Sequence, residues 1–305
     1  MKNLAPIGLT VYSRLAHLKT TIEALQENDL ALESDLFVFS DGPRSGDEEI
    51  VASMREYLRT IEGFKSVTVT ERSENSRIKN NRGGQRYLLE KYGKMIWMAE
   101  DIVPAPGFLR FLNEGLEFYK DHKDVLSITG YCLPLSIPDV ELETDVFFLK
   151  RYNAWGCAIW KDRYDKIVDI DGQLLDRRMV RKLCEAGDDI PGMVRMDLRG
   201  DINALDVRAM FWQNVYDYWT VYPKRSLVQN IGFDGSGVHC GVSDRFSHEN
   251  LWDKTSNFVF DDSPKANKSV LHENARFRKM PVLKRLYDQL PESLKKILKI
   301  VLLRR

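Results

Sequence analysis

Two adjacent carboxylates, Glu100 and Asp101, directly follow the short apolar segment Met95–Ala99. An apolar run without polar alternation is typical of a strand that is buried on both faces of a parallel sheet. Pro104 and Pro106 come soon afterwards, so we expect this strand to end at the two acids. Ligands of open α/β sheets bind outside the carboxyl ends of strands, where carboxylates suit Mg²⁺ or Mn²⁺ bound to substrate phosphates. The segment predicts a metal–nucleotide site, and an acidic surface turn is the alternative.

Two other predicted strands end in side chains that suit a nucleotide. Arg14 follows the apolar segment at 6–11, and its guanidinium could form two hydrogen bonds to a diphosphate or, alternatively, a surface salt bridge. Asp41 follows the apolar segment at 36–39. Its carboxylate could accept a hydrogen bond from the N–H of a uracil base, or it could merely begin the turn at Gly42.

The polar segment at 77–84 contributes cations and amides, among them Arg77, Lys79 and Asn81. It contains neither GxxxxGK[ST] nor GxGxxG, which disfavours a P-loop or a dinucleotide-binding loop. The segment is therefore either a solvated loop that precedes a helix through Leu88, or a lining of the nucleotide pocket.

Two further groups of residues are candidates for metal and sugar binding. His239 lies in the glycine-rich loop at 230–241, and its imidazole could join Asp101 in a metal shell or have no such role. Trp155 and Trp160 could form a platform on which a sugar stacks, or a buried aromatic cluster.

Strands and helices alternate along the first 120 residues. The apolar patterns predict strands at 6–11, 36–39, 67–69 and 95–99, and helices at 18–30, 46–60, around 88–92 and at 107–119. This alternation is typical of βαβ units in a parallel sheet. Right-handed crossovers place all the carboxyl ends of the strands at one edge, so we expect Tyr12, Arg14, Asp41 and the two acids to converge there.

From Val125 onwards the pattern changes to that of a mixed sheet edge. We predict strands at 125–129, 146–149 and 219–223, and helices at 174–185 and 203–214, the second with Asn203 as its N-cap. No internal repeat or low-complexity linker interrupts the chain, so we expect one domain over residues 1–262 and a separate tail over residues 263–305.

Composition narrows the class of protein. The 305 residues include 45 Lys and Arg and 45 Asp and Glu, so no global field attracts nucleic acid. The four cysteines lack CxxC spacing, which fits a reducing cytosol and argues against a structural zinc site. No signal peptide or apolar stretch of about 20 residues is visible. Residues 281–305 combine basic and apolar side chains, which indicates attachment to an anionic membrane surface or, alternatively, a docked helix.

Several motifs together resemble those of nucleotide-sugar-dependent glycosyltransferases of the GT-A fold. The resemblance covers about residues 5–250 and is carried by Val11–Arg14, Phe39–Gly42, Met98–Asp101 with Pro106–Leu109, Trp155–Gly156 and the loop at 230–241. It is greatest to bacterial enzymes akin to family 2, and more distant to N-acetylglucosaminyltransferase I. It implies an α/β, Rossmann-like fold with a mixed, mostly parallel sheet flanked by helices, followed here by an amphipathic helical tail.

The resemblance also implies roles for individual residues. Asp101 corresponds to the direct metal ligand, which is the last acid of the family's Glu-Asp-Asp motif, although Ala99 replaces the first acid. The implied donor-binding residues are Tyr12, Arg14 at the diphosphate, Asp41 at the base, Arg77, Lys79, Asn81, and Glu100 at the ribose or sugar. His239 matches a histidine of the family's closing loop, while Trp155 and Gly156 correspond to the acceptor side.

An inverting enzyme of this class needs a carboxylate base that takes the proton of the acceptor hydroxyl. Relatives carry an acid where this chain has Asn203, and an amide cannot act as that base. Asp206 is our first choice for the base and Asp201 our second, with Asp189 as another alternative. If none of them serves, the protein is inactive.

The expected function is the transfer of a hexose or N-acetylhexosamine from a UDP-sugar, with Mn²⁺ or Mg²⁺, to a lipid-linked or growing bacterial surface glycan. The protein would lie in the cytoplasm, peripherally on the inner face of the cell membrane. One rival is a degenerate binding or scaffold protein, which Ala99 and Asn203 favour. The other is a sugar-nucleotide nucleotidyltransferase, which is disfavoured because no glycine-rich basic loop follows the first strand.

Overall fold

The structure is a computed structural model that describes residues 3–135, 142–169, 172–236 and 241–283, together with residues 287, 290 and 294. Its strands are β1 (Ile7–Val11), β2 (Asp35–Ser40), β3 (Ser66–Glu71), β4 (Lys94–Ala99), β5 (Ile102–Pro104), β6 (Val125–Thr129), β7 (Val146–Leu149), β8 (Cys157–Trp160), β9 (Trp219–Pro223) and β10 (Val228–Asn230). Its helices are α1 (Leu15–Gln26), α2 (Glu48–Leu58), α3 (Arg77–Tyr92), α4 (Phe108–Phe118), α5 (Lys161–Tyr164), α6 (Arg177–Ala186), α7 (Ile190–Leu198), α8 (Leu205–Tyr216) and α9 (Lys268–Arg278).

Eight of the strands form one mixed sheet in the order β3-β2-β1-β4-β8-β6-β9-β7. The strands from β3 to β4 are parallel, as is the pair of β6 and β9. β8 runs antiparallel to both of its neighbours, and β7 runs antiparallel to β9. Within this sheet, as the described residues form it, four of the seven pairings are therefore parallel. The predicted α/β class, a mixed and mostly parallel sheet flanked by helices, is confirmed.

Strand β4 lies at the centre of the sheet and separates two apolar cores. Ile96 and Met98 face the core that includes the buried sides of α1 and α4. Met95 and Trp97 face the second core, against α3 and the group of α6, α7 and α8. Both faces of β4 are thus buried, as its apolar sequence predicts, and the chain becomes polar only at Glu100, where the strand has ended.

The polar segment at 77–84 is helical, and our expectation of a loop there is wrong. It forms the first two turns of α3, which begins after Ser76, and the Ser76 side chain accepts a hydrogen bond from the Lys79 amide. Gly83 and Gly84 disfavour a helix locally, because glycine weakens an isolated helix. Gly84 is nevertheless required for packing, since a Cβ there would lie 2.8 Å from Trp97 and 2.9 Å from Phe39.

Three other expectations from the sequence need correction. The spacing within the helix predicted at 46–60 places Ile50 on one apolar stripe with Met54 and Leu58, but Ile50 is 47% exposed and Val51 joins the buried stripe of α2 instead. Helix α8 begins two residues after Asn203, whose side chain accepts a hydrogen bond from Arg82 and caps no helix. Strand β6 is an interior strand between β8 and β9, so only β7 forms the expected edge.

Helix α9 belongs to the predicted tail, and it packs against the body of the protein. Val270 and Asn274 are buried, and Phe277 contacts Phe246 with its ring. The predicted amphipathic segment at 281–305 lies largely outside the described residues, so the proposed boundary at residue 262 stays a prediction. In the part of the chain that is described, no helix combines the length and the apolar character that spanning a membrane requires.

The two neighbouring glycines of α3 give a direct test of the packing of this helix on β4. We expect Gly84→Ala to destabilise the fold by about 1–3 kcal/mol, because the added methyl group meets Trp97 and Phe39. Gly83→Ala is the matched control. Its Cβ would meet no atom within 4 Å, so it should stabilise the helix by about 0.5–1 kcal/mol. Equilibrium urea unfolding measures both changes, and equal effects of the two substitutions would contradict the packing.

Candidate functional site

The carboxyl ends of β1 and β4 are joined by a network around Glu100. The Tyr12 amide donates to Glu100 Oε2 over 2.6 Å, and Arg14 Nε donates to Glu100 Oε1 over 2.7 Å. Arg14 also pairs with Asp101, with 2.8 Å between Nη2 and Oδ2. The predicted convergence of these distant segments is confirmed. It arises because β1 and β4 are adjacent parallel strands.

The charges of this network do not cancel. Burial disfavours the charged form of Arg14, but its interactions with Asp101 and Glu100 outweigh burial and raise the pKa of the guanidinium. Arg14 therefore remains a cation, and it faces two carboxylates. The group carries one excess negative charge at the edge of the sheet, which favours the approach of a further cation.

Asp41 lies beside β1, where its amide donates to the carbonyl of Val11 over 3.1 Å. Its buried carboxylate accepts hydrogen bonds from the Ser76 amide at 2.9 Å and the Gly42 amide at 3.0 Å, and more weakly from the Asn75 side chain. Asp41 therefore attaches the start of α3 to the end of β2. These contacts belong to the turn-forming alternative, and a contact with a base stays a prediction.

The candidates Arg77, Lys79 and Asn81 lie in the first two turns of α3. Arg77 and Lys79 are exposed to solvent, while Asn81 is half-buried. Asn81 Oδ1 is a buried acceptor that lacks a hydrogen-bond partner in the described part of the chain. Arg82, one residue further on, donates to Asn203 over 2.5 Å, so the start of α3 lies next to the start of α8. A role of the three residues in nucleotide binding stays a prediction.

The segment at 231–236 lies against Glu100 and Asp101, which we call the acidic pair. The Ile231 amide donates to the Asp101 carbonyl over 2.9 Å, and His17 Nε2 lies 3.1 Å from a carboxylate oxygen of Asp234. Gly232 lies so close that a Cβ there would overlap Asp101 Oδ2. Sequence reasoning missed His17, which has no neighbouring motif. His239, the predicted second metal ligand, lies outside the described residues.

Trp155 lies at the same edge of the sheet, just before β8. It is half-buried and makes edge-to-face contacts with Tyr131, Phe233 and Phe246. Gly156 follows with a φ of +63°, and a Cβ there would lie 2.8 Å from Phe108, so a glycine is required.

Trp155 and Trp160 do not form one platform. Trp160 is the last residue of β8 and lies at the opposite ends of the strands, where it pairs with Lys94 at the start of β4. It is buried, and the guanidinium carbon of Arg163 lies 3.5 Å from its ring centroid. For Trp160 the alternative of a buried aromatic residue is the correct one.

The three candidate bases lie in different environments. Asp206 is half-buried in the first turn of α8, where burial raises the pKa of its carboxyl although Arg151 and Arg77 act in the opposite direction. Asp201 pairs with Arg199 at 2.8 Å. Asp189 accepts two hydrogen bonds from Arg151, at 2.7 and 3.0 Å. A raised pKa suits a general base, and the role of Asp206 as the base stays a prediction.

The acidic pair has a donor set that fits a hard divalent cation. Among the described residues no three His, Cys, Asp or Glu side chains are grouped to hold a metal ion. Mg²⁺ and similar ions need only one or two carboxylates when substrate phosphates and water complete the shell. Asp101 alone meets that requirement, because both carboxylate oxygens of Glu100 accept hydrogen bonds from Tyr12 and Arg14.

Comparisons with known proteins define no family for this chain. No protein-family model and no curated protein matches it. Among solved structures, GalNAc-T7 with UDP, GalNAc and Mn²⁺ has 10% identity and a TM-score of 0.44, and covers 73% of this chain. The mannosyltransferase PcManGT from Pyrobaculum calidifontis, in complex with GDP-Man and Mn²⁺, has 13% identity and a TM-score of 0.35, and covers 74% of it.

The chain spans only 43% of the first of these proteins and 59% of the second. A function for this chain therefore has to rest on its own residues.

The contact between Gly232 and Asp101 predicts that a methyl group at Gly232 displaces the segment at 231–236. We expect Gly232→Ala to accelerate tryptic cleavage after Arg245, because the added Cβ would overlap Asp101 Oδ2 and lie 2.9 Å from Arg14 Nη1. Gly241→Ala is the control, since its Cβ would meet no atom within 4 Å. Limited proteolysis followed by mass spectrometry measures the rates. Equal rates for wild type and Gly232→Ala would show that the segment does not depend on this contact.

Proposed function

We propose that this chain is a metal-dependent, inverting glycosyltransferase that uses a UDP-sugar as donor. The observation that carries the proposal is the placement of Arg14 between Glu100 and Asp101, where the carboxyl ends of β1 and β4 meet. A guanidinium and a pair of carboxylates at this edge of an α/β sheet match the needs of a nucleoside diphosphate and its metal ion.

The donor half of the site uses residues from three strand ends. Arg14 binds the diphosphate through its planar guanidinium, and Asp41 accepts a hydrogen bond from the base. Asp101 holds Mn²⁺ or Mg²⁺, and Glu100 orients Arg14 and reaches the ribose or the sugar. The divalent ion would supply the positive charge that, with Arg14, stabilises the leaving diphosphate. Arg77, Lys79 and Asn81 at the start of α3 complete the nucleotide pocket, with His239 as a second metal ligand.

The acceptor half is built around Asp206. Its carboxylate takes the proton of the acceptor hydroxyl as the hydroxyl oxygen bonds to the anomeric carbon. The bond from that carbon to the diphosphate oxygen breaks on the opposite face, so the configuration inverts. Trp155 and Gly156 contribute to acceptor binding, since an indole that is only half-buried suits contact with a sugar ring.

The acceptor class follows from the predicted tail. Its basic and apolar residues at 281–305 would hold the protein at the inner surface of a bacterial cell membrane, next to lipid-linked or growing surface glycans. A hexose or an N-acetylhexosamine is the transferred group.

Isothermal titration with UDP tests the donor half. We expect wild type to bind UDP in the presence of Mn²⁺ and to lose affinity when the metal is removed by chelation. Asp101→Ala should abolish the dependence on metal, because it removes the proposed ligand. Asp121→Ala removes an exposed carboxylate that follows α4 and serves as the control. Binding of UDP that is independent of metal, or unchanged in Asp101→Ala, would falsify the site assignment.

The pH dependence of transfer, or of slow donor hydrolysis, tests the base. Asp206 must be deprotonated to act, so kcat/KM should rise with pH through a pKa above the ordinary value of about 3.9 for an aspartate. Asp206→Asn should remove this limb and reduce kcat by about 10²- to 10⁴-fold.

Asp201→Asn is the comparison for this measurement. A loss confined to Asp201→Asn would transfer the role of the base to Asp201. No release of UDP by wild type with Mn²⁺ would favour the non-catalytic alternative, and release of pyrophosphate from a nucleoside triphosphate would favour the nucleotidyltransferase.

A further inference from the structure

Two arginines from distant segments share one carboxylate near the proposed base. Arg151, which follows β7, forms a two-pronged pair with Asp189 at 2.7 and 3.0 Å. Arg278, the last residue of α9, places Nη1 3.9 Å from Asp189 Oδ2. Both arginine side chains are nearly buried, with 9% and 12% exposed. We refer to Arg151 and Arg278, together with Asp189 between them, as the arginine pair site.

The two guanidiniums of the arginine pair site face one carboxylate within it, and Asp188 beside it carries a second carboxylate. The Asp188 carboxylate accepts a hydrogen bond from the Met280 amide. Burial and the repulsion from Arg151 lower the pKa of Arg278 to about 10, so its cationic form is destabilised here but persists at neutral pH. The Nε atom of Arg278 is buried without a hydrogen-bond partner in the described part of the chain. An anion that accepts a hydrogen bond from this Nε would satisfy the buried donor.

The site is accessible and adjoins the acceptor half of the proposed active site. The Asp189 side chain is 29% exposed, so the cluster has one solvent-exposed member. The charge of Arg151 acts on the Asp206 carboxyl and opposes the rise in its pKa that burial causes. On the other side, Phe277 precedes Arg278 and contacts Phe246, which in turn contacts Trp155. The arginine pair therefore interacts with the proposed base through Arg151 and is connected with Trp155 through the rings of Phe277 and Phe246.

We propose that Arg151 and Arg278 bind a phosphoryl group of the acceptor. Two guanidiniums present planar pairs of N–H donors, which match phosphate oxygens better than any other side chain does. Asp189 holds Arg151 in place until the phosphoryl group binds. Assigning the anion to the acceptor rests on the proposed function, because it assumes that Asp206 is the base. The anion site itself requires only the charges and contacts described above.

A purely structural role of the cluster is the competing explanation. Arg278 attaches α9 to the body of the protein, and its pair with Asp189 could serve only that purpose. The two explanations predict different effects of neutralising Asp189. If the cluster only attaches α9, neutralising Asp189 weakens the fold and creates no affinity for anions. If the cluster binds a phosphoryl group, the same change removes a competing anion.

The experiment is an isothermal titration of the full chain with inorganic phosphate, in an Arg14→Gln background that removes the other proposed phosphate ligand. Arg278→Gln should weaken phosphate binding by about tenfold, while Asp189→Asn should tighten it. Arg276→Gln is the matched control, because Arg276 lies on the same helix and is 66% exposed. Circular dichroism confirms that each variant is folded. If Arg278→Gln does not fold, Asp189→Asn alone decides.

The outcomes separate the possibilities. Absence of phosphate binding by the parent protein, equal binding by Arg278→Gln, or no gain in Asp189→Asn would overturn the proposal. Sedimentation with phosphatidic acid vesicles, against phosphatidylcholine vesicles, identifies the source: dependence on Arg278 indicates a lipid phosphate, and its absence indicates a soluble one. Titration of the wild-type chain and of Arg278→Gln with UDP and Mn²⁺ is run in parallel. Phosphate binding without UDP binding would retain the anion site and reject the glycosyltransferase.

Discussion

The site depends on how Glu100 is held at the end of β4. Its amide donates to Thr10 of β1, its carbonyl accepts from the Thr21 hydroxyl of α1, and its carboxylate accepts from the Tyr12 amide and from Arg14. A buried carboxylate is tolerated only when hydrogen bonds and an opposite charge replace its hydration. These bonds fix the side chain of Arg14, and Arg14 in turn orients Asp101. The arrangement of cation and acids at the sheet edge therefore follows from one well-bonded glutamate.

Much of this arrangement is predictable because strands and their ends have local signatures. The run Met95–Ala99 contains no polar residue, so its burial and its end at Glu100 can be read directly, and adjacency of parallel strands brings Arg14 to the same place. The start of α3 could not be predicted in this way. Gly83 and Gly84 argue against a helix locally, and only the packing of Trp97 and Phe39 on Gly84 reverses that preference.

The rest of the candidate site depends on contacts between segments that carry no common motif. Arg151 follows β7, Asp189 precedes α7 and Arg278 ends α9, so nothing in their local sequence indicates that they meet. The carboxylate of Asp41 accepts hydrogen bonds from the amides of Gly42 and Ser76, and Ser76 lies 35 residues further along the chain. Long-range ion pairs and hydrogen bonds of this kind are decided by tertiary packing, which a periodic pattern does not record.

The segment at 231–236 also has a kinetic consequence. The hydrogen bond from the Ile231 amide to the Asp101 carbonyl and the contact of Asp234 with His17 hold this segment next to Glu100 and Asp101. A ligand that reached Asp101 only from this side would associate no faster than both contacts break, and it would leave no faster than they break again.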